Sequence, residues 1–426
     1  MNVYEISDGV RLVHIKTSKF KTSQVLFLLC VPLEGNVSAK ALLAHLIRRR
    51  CAEYPDMTSF GRKLDSLYGA SVSTSITKSG DTLQIFVNIT SIDDRFALDG
   101  DRITEECVDL LIKLIAEPII ENDSFPSDIV EQEKRLLIEK LESEQNNKKL
   151  YALRKCEQIM FKNEAYGRNR FGTVEEISAL TAKDVYLEWK NVLKTALIQV
   201  CAVGSFDADI IADRLKDKFG GIDRAPAKCE TEFFAGLPKP NYECETQSVK
   251  QGKLVMGFRT GMRNADDNVD AMKVAVDIFG GGTYSKLFSV VREKMSLCYY
   301  CSAALYAKKG IVMVQSGIEN ENEEKAKSEI LNQLSLVASG DFSDEVFSSS
   351  IKSICDSRLG FCDTPETICM WYASQILDSK LITPEESAER IRKVEKSDVI
   401  RAAKTIMLDT VFMLKGNGEG QQNENM

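Results

Sequence analysis

Apolar and polar positions alternate with a period of two in Ser71-Val72-Ser73-Thr74-Ser75-Ile76 and again in Thr82-Leu83-Gln84-Ile85-Phe86-Val87. That period marks strands with one buried and one polar face, which suits antiparallel pairing. Denser apolar runs at residues 24–31 and 253–258 read as more deeply buried strands. Each is followed by a glycine-bearing connection, Leu33-Glu34-Gly35-Asn36 and Thr260-Gly261-Met262, and then by a helical period over residues 38–51 and 268–279. Tyrosine-bearing segments leading into two strands follow at residues 60–88, with Tyr68, and 285–316, with Tyr299. Helices of similar length then come at residues 104–116 and 323–338. After them stand Phe125-Pro126-Ser127-Asp128 and Phe342-Ser343-Asp344-Glu345, with Ser127 and Ser343 as expected N-caps of further helices.

The same order of elements thus recurs at an offset of about 220 to 230 residues, a pattern that predicts internal duplication. The fold class expected is α+β, with two similar domains, each a largely antiparallel sheet with helices packed on one face. Pro226, Pro238 and Pro240 break any periodicity between the halves. The boundaries expected are therefore 1–222, a linker at 223–244, and 245–426. The polar stretch from Gly416 onward is expected to be disordered. Two domains with polar sheet faces suit a chamber.

Composition narrows the possible functions. The 426 residues are 44% hydrophobic and 28% charged, an ordinary globular balance that excludes a disordered or low-complexity chain. A net charge of −8 supplies no positive field for nucleic acid or an anionic membrane, so neither is an expected partner. The apolar stretch from Val25 to Leu33 is about half of what crosses a bilayer, and the N-terminus shows no secretory pattern. Twelve cysteines without an export signal read as reduced thiols of a cytoplasmic protein. Cys298-Tyr-Tyr-Cys301 has the C-x-x-C spacing, but it lacks the second ligand pair of a structural zinc site and any thioredoxin context. Gly280-Gly281-Gly282 follows a helix and lacks the Lys-Ser/Thr of a phosphate loop, so it reads as a helix stop.

There are two histidines. His14 lies in an alternating strand pattern and is expected to be solvated or on an edge strand. His45 shares a helix face with Ala41, Ala44 and Arg48, at i, i+3, i+4 and i+7, away from the stripe of Leu42, Leu43, Leu46 and Ile47.

With these residues in view, nearly the whole chain resembles the pitrilysin/insulinase metallopeptidase family, which includes the mitochondrial processing peptidase and paired bacterial subunits. The resemblance rests on the strand-Gly-helix opening, Tyr54-Pro55 and the acidic helix Glu131-Gln132-Glu133-Lys134-Arg135. Its most specific part is the run from Gly280-Gly281-Gly282-Thr283 through Arg292-Glu293-Lys294-Met295-Ser296-Leu297-Cys298-Tyr299. In that family the first helix carries H-x-x-E-H, two zinc-binding histidines and a glutamate that activates the bound water. Here the matching positions read Ala41-Leu42-Leu43-Ala44-His45, so one histidine survives and the base is missing. The third ligand corresponds to Glu131, which also makes an ordinary i, i+4 pair with Arg135. In the second half, Arg292 and Tyr299 match the pair that holds the substrate backbone and polarises the scissile carbonyl. The same two residues also read as an Arg292–Glu293 or Arg292–Glu321 ion pair and a tyrosine capping a core.

The resemblance implies a non-catalytic subunit that holds no cofactor of its own. A heterodimeric partner bearing H-x-x-E-H would supply the zinc, and this chain would complete the chamber for a peptide or small protein substrate. Two other readings stay open: a scaffold or assembly protein of the same fold, and an autonomous metallopeptidase with an atypical site at His45 and Glu131.

Overall fold

The computed structural model describes residues 1–98, 100–234, 239–262 and 268–417. Of the tail expected to be disordered, all but Gly416 and Asn417 lies outside the described residues, as do Ala235, Gly236, Leu237 and Pro238 of the expected linker. The strands are β1 (Asn2–Ser7), β2 (Val10–Lys16), β3 (Thr22–Pro32), β4 (Ser71–Ser79), β5 (Thr82–Ile92), β6 (Leu197–Gly204), β7 (Asn241–Gln247), β8 (Gly252–Arg259), β9 (Cys298–Tyr306), β10 (Ile311–Ile318) and β11 (Met407–Gly416). They form two sheets, ordered β1-β2-β6-β3-β5-β4 and β7-β11-β8-β10-β9. Without the β1 hairpin strand, the first order maps onto the second strand for strand. Each sheet has one parallel pair at the equivalent place, β2 with β6 and β7 with β11, and is otherwise antiparallel. The α+β class and the duplication are therefore both visible in the topology.

The compact units are interleaved along the chain. One comprises Met1–Leu141, Asn169–Glu230 and Gly360–Pro384; the other comprises Glu142–Arg168, Thr231–Leu359 and Glu385–Met426. In the first unit Val25, Phe27, Leu29 and Val31 of β3 enter a core shared with the helices, while Leu26, Leu28 and Cys30 point to the opposite face. There they meet Ile368, Cys369, Trp371 and Tyr372 of the helix Pro365–Ala373. With both faces covered, β3 is apolar almost throughout, and this is why it reads as a continuous run.

In the first unit this late-sequence helix also covers the middle of the second face. Its polar junction is satisfied: Gln199 Nε2 donates to the Tyr372 carbonyl at 2.5 Å and Gln199 Oε1 accepts from Arg11 Nε at 2.5 Å. Toward β4 the same face is a polar lattice, with Thr90 Oγ1 donating to Gln24 Oε1 at 2.5 Å and Ser73 Oγ to Asn88 Oδ1 at 3.1 Å.

In the second unit the helix Lys148–Met160 lies on the sheet through Ala152, Cys156 and Met160, against Val255, Met313 and Phe412. Gly257 makes that approach possible, since a Cβ there would sit 2.6 Å from Met160 Sδ. Beside it, buried Arg259 binds Glu164 at 2.6 Å and Asp409 at 2.8 Å, and Lys309 reaches Glu164 at 3.1 Å. Among the described residues no helix is long and apolar enough to cross a membrane.

His14 is not solvated. It is 2% exposed, packs 5.1 Å from the Phe206 ring, and neither ring nitrogen has a hydrogen-bond partner among the described residues. Burial, with the charges of Lys16 and the N-terminal amine, pushes its pKa down to about 4. A base whose folded pKa lies below its unfolded value binds protons more readily when unfolded. Stability from this site is full above about pH 6.5 and is lost as the pH falls toward 4, by ~2–3 kcal/mol. Denaturant unfolding of His14→Leu and the unsubstituted chain at pH 7 and pH ~4.5 should show the natural chain losing about 2 kcal/mol more than the variant. Parallel losses would contradict the assignment.

Candidate functional site

The helix Val37–Leu46 starts at Asn36, whose side chain accepts from the Ala39 amide at 3.0 Å, and it ends before Ile47, shorter than the period suggests. The face carrying Ala41 and Ala44 is not open to solvent: both alanines are buried, and they join the apolar core. The helix packs against Ala182–Thr195 and Val174–Ala179, so nearly every position is covered. His45 projects from its last turn with 12% of its side chain exposed.

The carboxylate that faces His45 is Glu133, not Glu131. On the helix Ser127–Asn146 these two positions are about 200° apart, so they cannot share a face. Glu131 is 66% exposed and accepts from Lys134 Nζ at 2.8 Å, while Arg135 lies near Glu139 instead of pairing back to it. Glu133 is 2% exposed, with Oε2 3.7 Å from His45 Nδ1 and 3.9 Å from an Arg48 guanidinium nitrogen. These are electrostatic contacts, since Oε2 has no hydrogen-bond partner among the described residues. Burial pushes the Glu133 carboxyl up, yet proximity to His45 and the charges of Arg48 and Arg49 outweigh it and hold the group below the ordinary glutamate range.

These residues do not fit a catalytic zinc. One imidazole and one carboxylate give two protein donors where three are needed, and Arg48 already neutralises the carboxylate. Ala44 has no group to accept a proton from water. Among the described residues there is no cluster of three or more His, Cys, Asp or Glu able to hold a metal ion.

In the second unit, Arg292 sits on Leu287–Lys294, a segment wound as a π-helix, with Met295 N bonding back to Val290 O at 2.9 Å. Such windings are rare and often mark functional positions. The guanidinium lies 4.5 Å from the Phe288 ring centroid, with Nε 3.5 Å from Glu293 Oε1. At the start of β9 a register shift opposite Gly317 and Ile318 leaves Tyr299 without a pairing partner on β10. Tyr299 is 66% exposed, so it does not cap a core. Its hydroxyl donates to Glu319 Oε1 at 3.1 Å, and this bond raises the phenol pKa, leaving a neutral donor.

Arg292 and Tyr299 line one groove of about 420 Å³ with Glu293, Leu297, Cys298 and Glu319. Arg292 can donate to a peptide carbonyl in this groove, and Tyr299 can do so once its hydroxyl turns from Glu319. The sequence reading missed Glu319, because only the β9–β10 register brings the end of one strand beside the start of the other. The same bulge turns Cys298 and Cys301 toward one apolar core. The Cys298 thiol is pulled down to about 7, chiefly by Cys301, whose own pKa is raised.

The Glu133 contacts generate a stability expectation. Replacing Glu133 by Gln should cost ~1–3 kcal/mol, because Arg48 is left half-buried without its counter-charge. Combining it with Arg48→Met should recover part of that loss in denaturant unfolding. Additive losses would show that the two side chains do not interact.

Comparison with known proteins fits this geometry. Residues 179–354 match the family model described as the peptidase M16 inactive domain. The chain is 32% identical over 418 residues to the Bacillus subtilis protein named "Probable inactive metalloprotease YmfF", covering 98% of each. Its fold matches a conserved protein from Enterococcus faecalis V583 with a TM-score of 0.89 at 24% identity, over 97% of this chain and 98% of that one. It also matches a chain of complex III2 from Candida albicans with a TM-score of 0.74 at 16% identity, over 97% and 94%. With a relative this similar along its full length, the chain belongs to the M16 peptidase family.

Proposed function

We propose that the chain is the non-catalytic subunit of a heteromeric zinc-dependent peptidase. A partner with an intact H-x-x-E-H supplies the metal and the water-activating carboxylate, and this chain completes the substrate chamber. The observation that carries this reading is the convergence of Arg292 and Tyr299 in one open groove while Ala41 and Ala44 stand at the metal-binding helix positions. A groove that keeps donors for a peptide carbonyl suits a chain that binds substrate and leaves hydrolysis to its partner. The relative's name, with its word "inactive", supports the same division of labour.

A second reading, an assembly protein that handles no peptide, is favoured by the internal pairing of the groove donors. Tyr299 is held by Glu319 and Arg292 lies near Glu293. The likeness to a chain of a multisubunit complex supports it as well. The two readings separate on one variant. Arg292→Ala in the reconstituted pair should lower peptide turnover about tenfold or more, the loss of a charge-assisted contact in the transition state, and leave bound zinc unchanged. Full turnover by that variant would favour the assembly reading.

A further inference from the structure

Strand register fixes a row across the second sheet: Lys253 of β8 pairs with Gly317 of β10, and Gly317 with Tyr300 of β9. Gly317 leaves the centre of that row empty, for a Cβ there would meet Tyr300 Cε1 at 2.5 Å and Gln251 Oε1 at 2.6 Å. The Tyr300 ring therefore lies across the row toward Lys253, whose Nζ is 6.0 Å from the ring centroid. The first turn of the helix Lys148–Met160 brings Lys149 Nζ to 4.5 Å from the same centroid. Two ammonium groups thus share one aromatic ring.

The neighbouring charges leave these two cations uncompensated. Lys148 and Lys155, on the same helix, lie in the field of Glu245, which also accepts from Tyr151 Oη at 2.8 Å. Lys253 Nζ donates to the neutral Gln251 Oε1 at 2.6 Å. Among the described residues no carboxylate forms an ion pair with Lys149 or Lys253. Glu319, the acid that acts on Lys253 at longer range, is held by Tyr299. Burial and the like charge of Lys149 push the Lys253 ammonium below the ordinary lysine range, and burial pushes the Tyr300 phenol up to about 12. Tyr300 therefore keeps its hydroxyl proton and can donate it beside the two cations. A carboxylate, which only accepts and carries the opposite charge, is the group that pairs with such ammonium groups.

We propose that Lys149, Lys253 and Tyr300 form a carboxylate-binding site for the peptide this chain handles, so that acidic peptides are its preferred ligands. This rests on the peptide-binding reading of the chain. The chemistry is shared by Asp or Glu side chains and a free C-terminus. The chain is acidic overall, so the preference is local to this site and is screened by salt.

Rhodamine-labelled octapeptides titrated into the full chain at low salt test the proposal by fluorescence anisotropy. One is Glu-rich and amidated, one Gln-rich with a free C-terminus, and one Gln-rich and amidated. The Glu-rich peptide should bind about tenfold more tightly than the Gln-rich amide, the yield of a charge-assisted contact. A C-terminal source of the carboxylate would place that preference on the Gln-rich free acid instead. Lys149→Gln with Lys253→Gln should reduce the preference to under about twofold, whereas Lys149→Arg with Lys253→Arg, and Lys155→Gln alone, should keep it. Arg292→Ala should weaken all three peptides equally and leave the preference intact; no effect of that variant would count against the peptide-binding reading by itself. The carboxylate site is overturned if the natural chain binds neither carboxylate-bearing peptide, shows no preference, or keeps its preference after both lysines become Gln.

Discussion

A catalytic zinc needs three protein donors and one open position, and the first helix of this chain supplies a single imidazole to that count. The carboxylate opposite it, Glu133, is already committed to Arg48 at 3.9 Å. A dication placed about 5 Å from that guanidinium would be repelled by roughly 7 kcal/mol at an effective dielectric near 20. Missing ligands and a resident cation therefore act in the same direction. With Ala41 and Ala44 packed into the core, the helix Val37–Leu46 serves the packing of the first unit. The groove lined by Arg292 and Tyr299 lies in the second unit.

That division follows from the duplication. The two sheets share strand order and the place of their parallel pair, so each half has an equivalent helix after its central strand. In one half that helix carries His45; in the other, Val269–Gly280 leads through the triglycine turn into the π-wound segment bearing Arg292. Each sheet also takes a helix from a distant part of the chain, Pro365–Ala373 in one unit and Lys148–Met160 in the other. The second of these does more than seal a core, since its first turn places Lys149 beside Tyr300.

Much of this was legible in the sequence. Strict alternation located β4 and β5, the glycine-bearing connections located both first helices, and the recurring order gave the α+β duplication, because backbone periodicity is a local property. Partner choice is not local. The apolar positions of residues 365–373 and 148–160 say that a face is buried but not against which sheet, and the exchange of segments was invisible for that reason. His14 was misplaced because β2 is not an edge strand: β1 flanks it on one side and β6 on the other. Of the acidic helix, the residue type was readable and the phase was not. Glu131 and Glu133 differ by two positions, and only packing shows which one turns inward. Arg292 and Tyr299 were singled out together from the sequence and do line one groove, whereas Glu319 depended on hairpin register and Lys149 on a tertiary contact.

The claim that the first helix no longer grasps a metal is tested most directly by elemental analysis of the full chain, purified after growth with added zinc and dialysed against metal-free buffer. The account predicts zinc well below one equivalent, unchanged by His45→Ala. One equivalent of zinc that disappears in the His45→Ala or Glu133→Gln chain would contradict it.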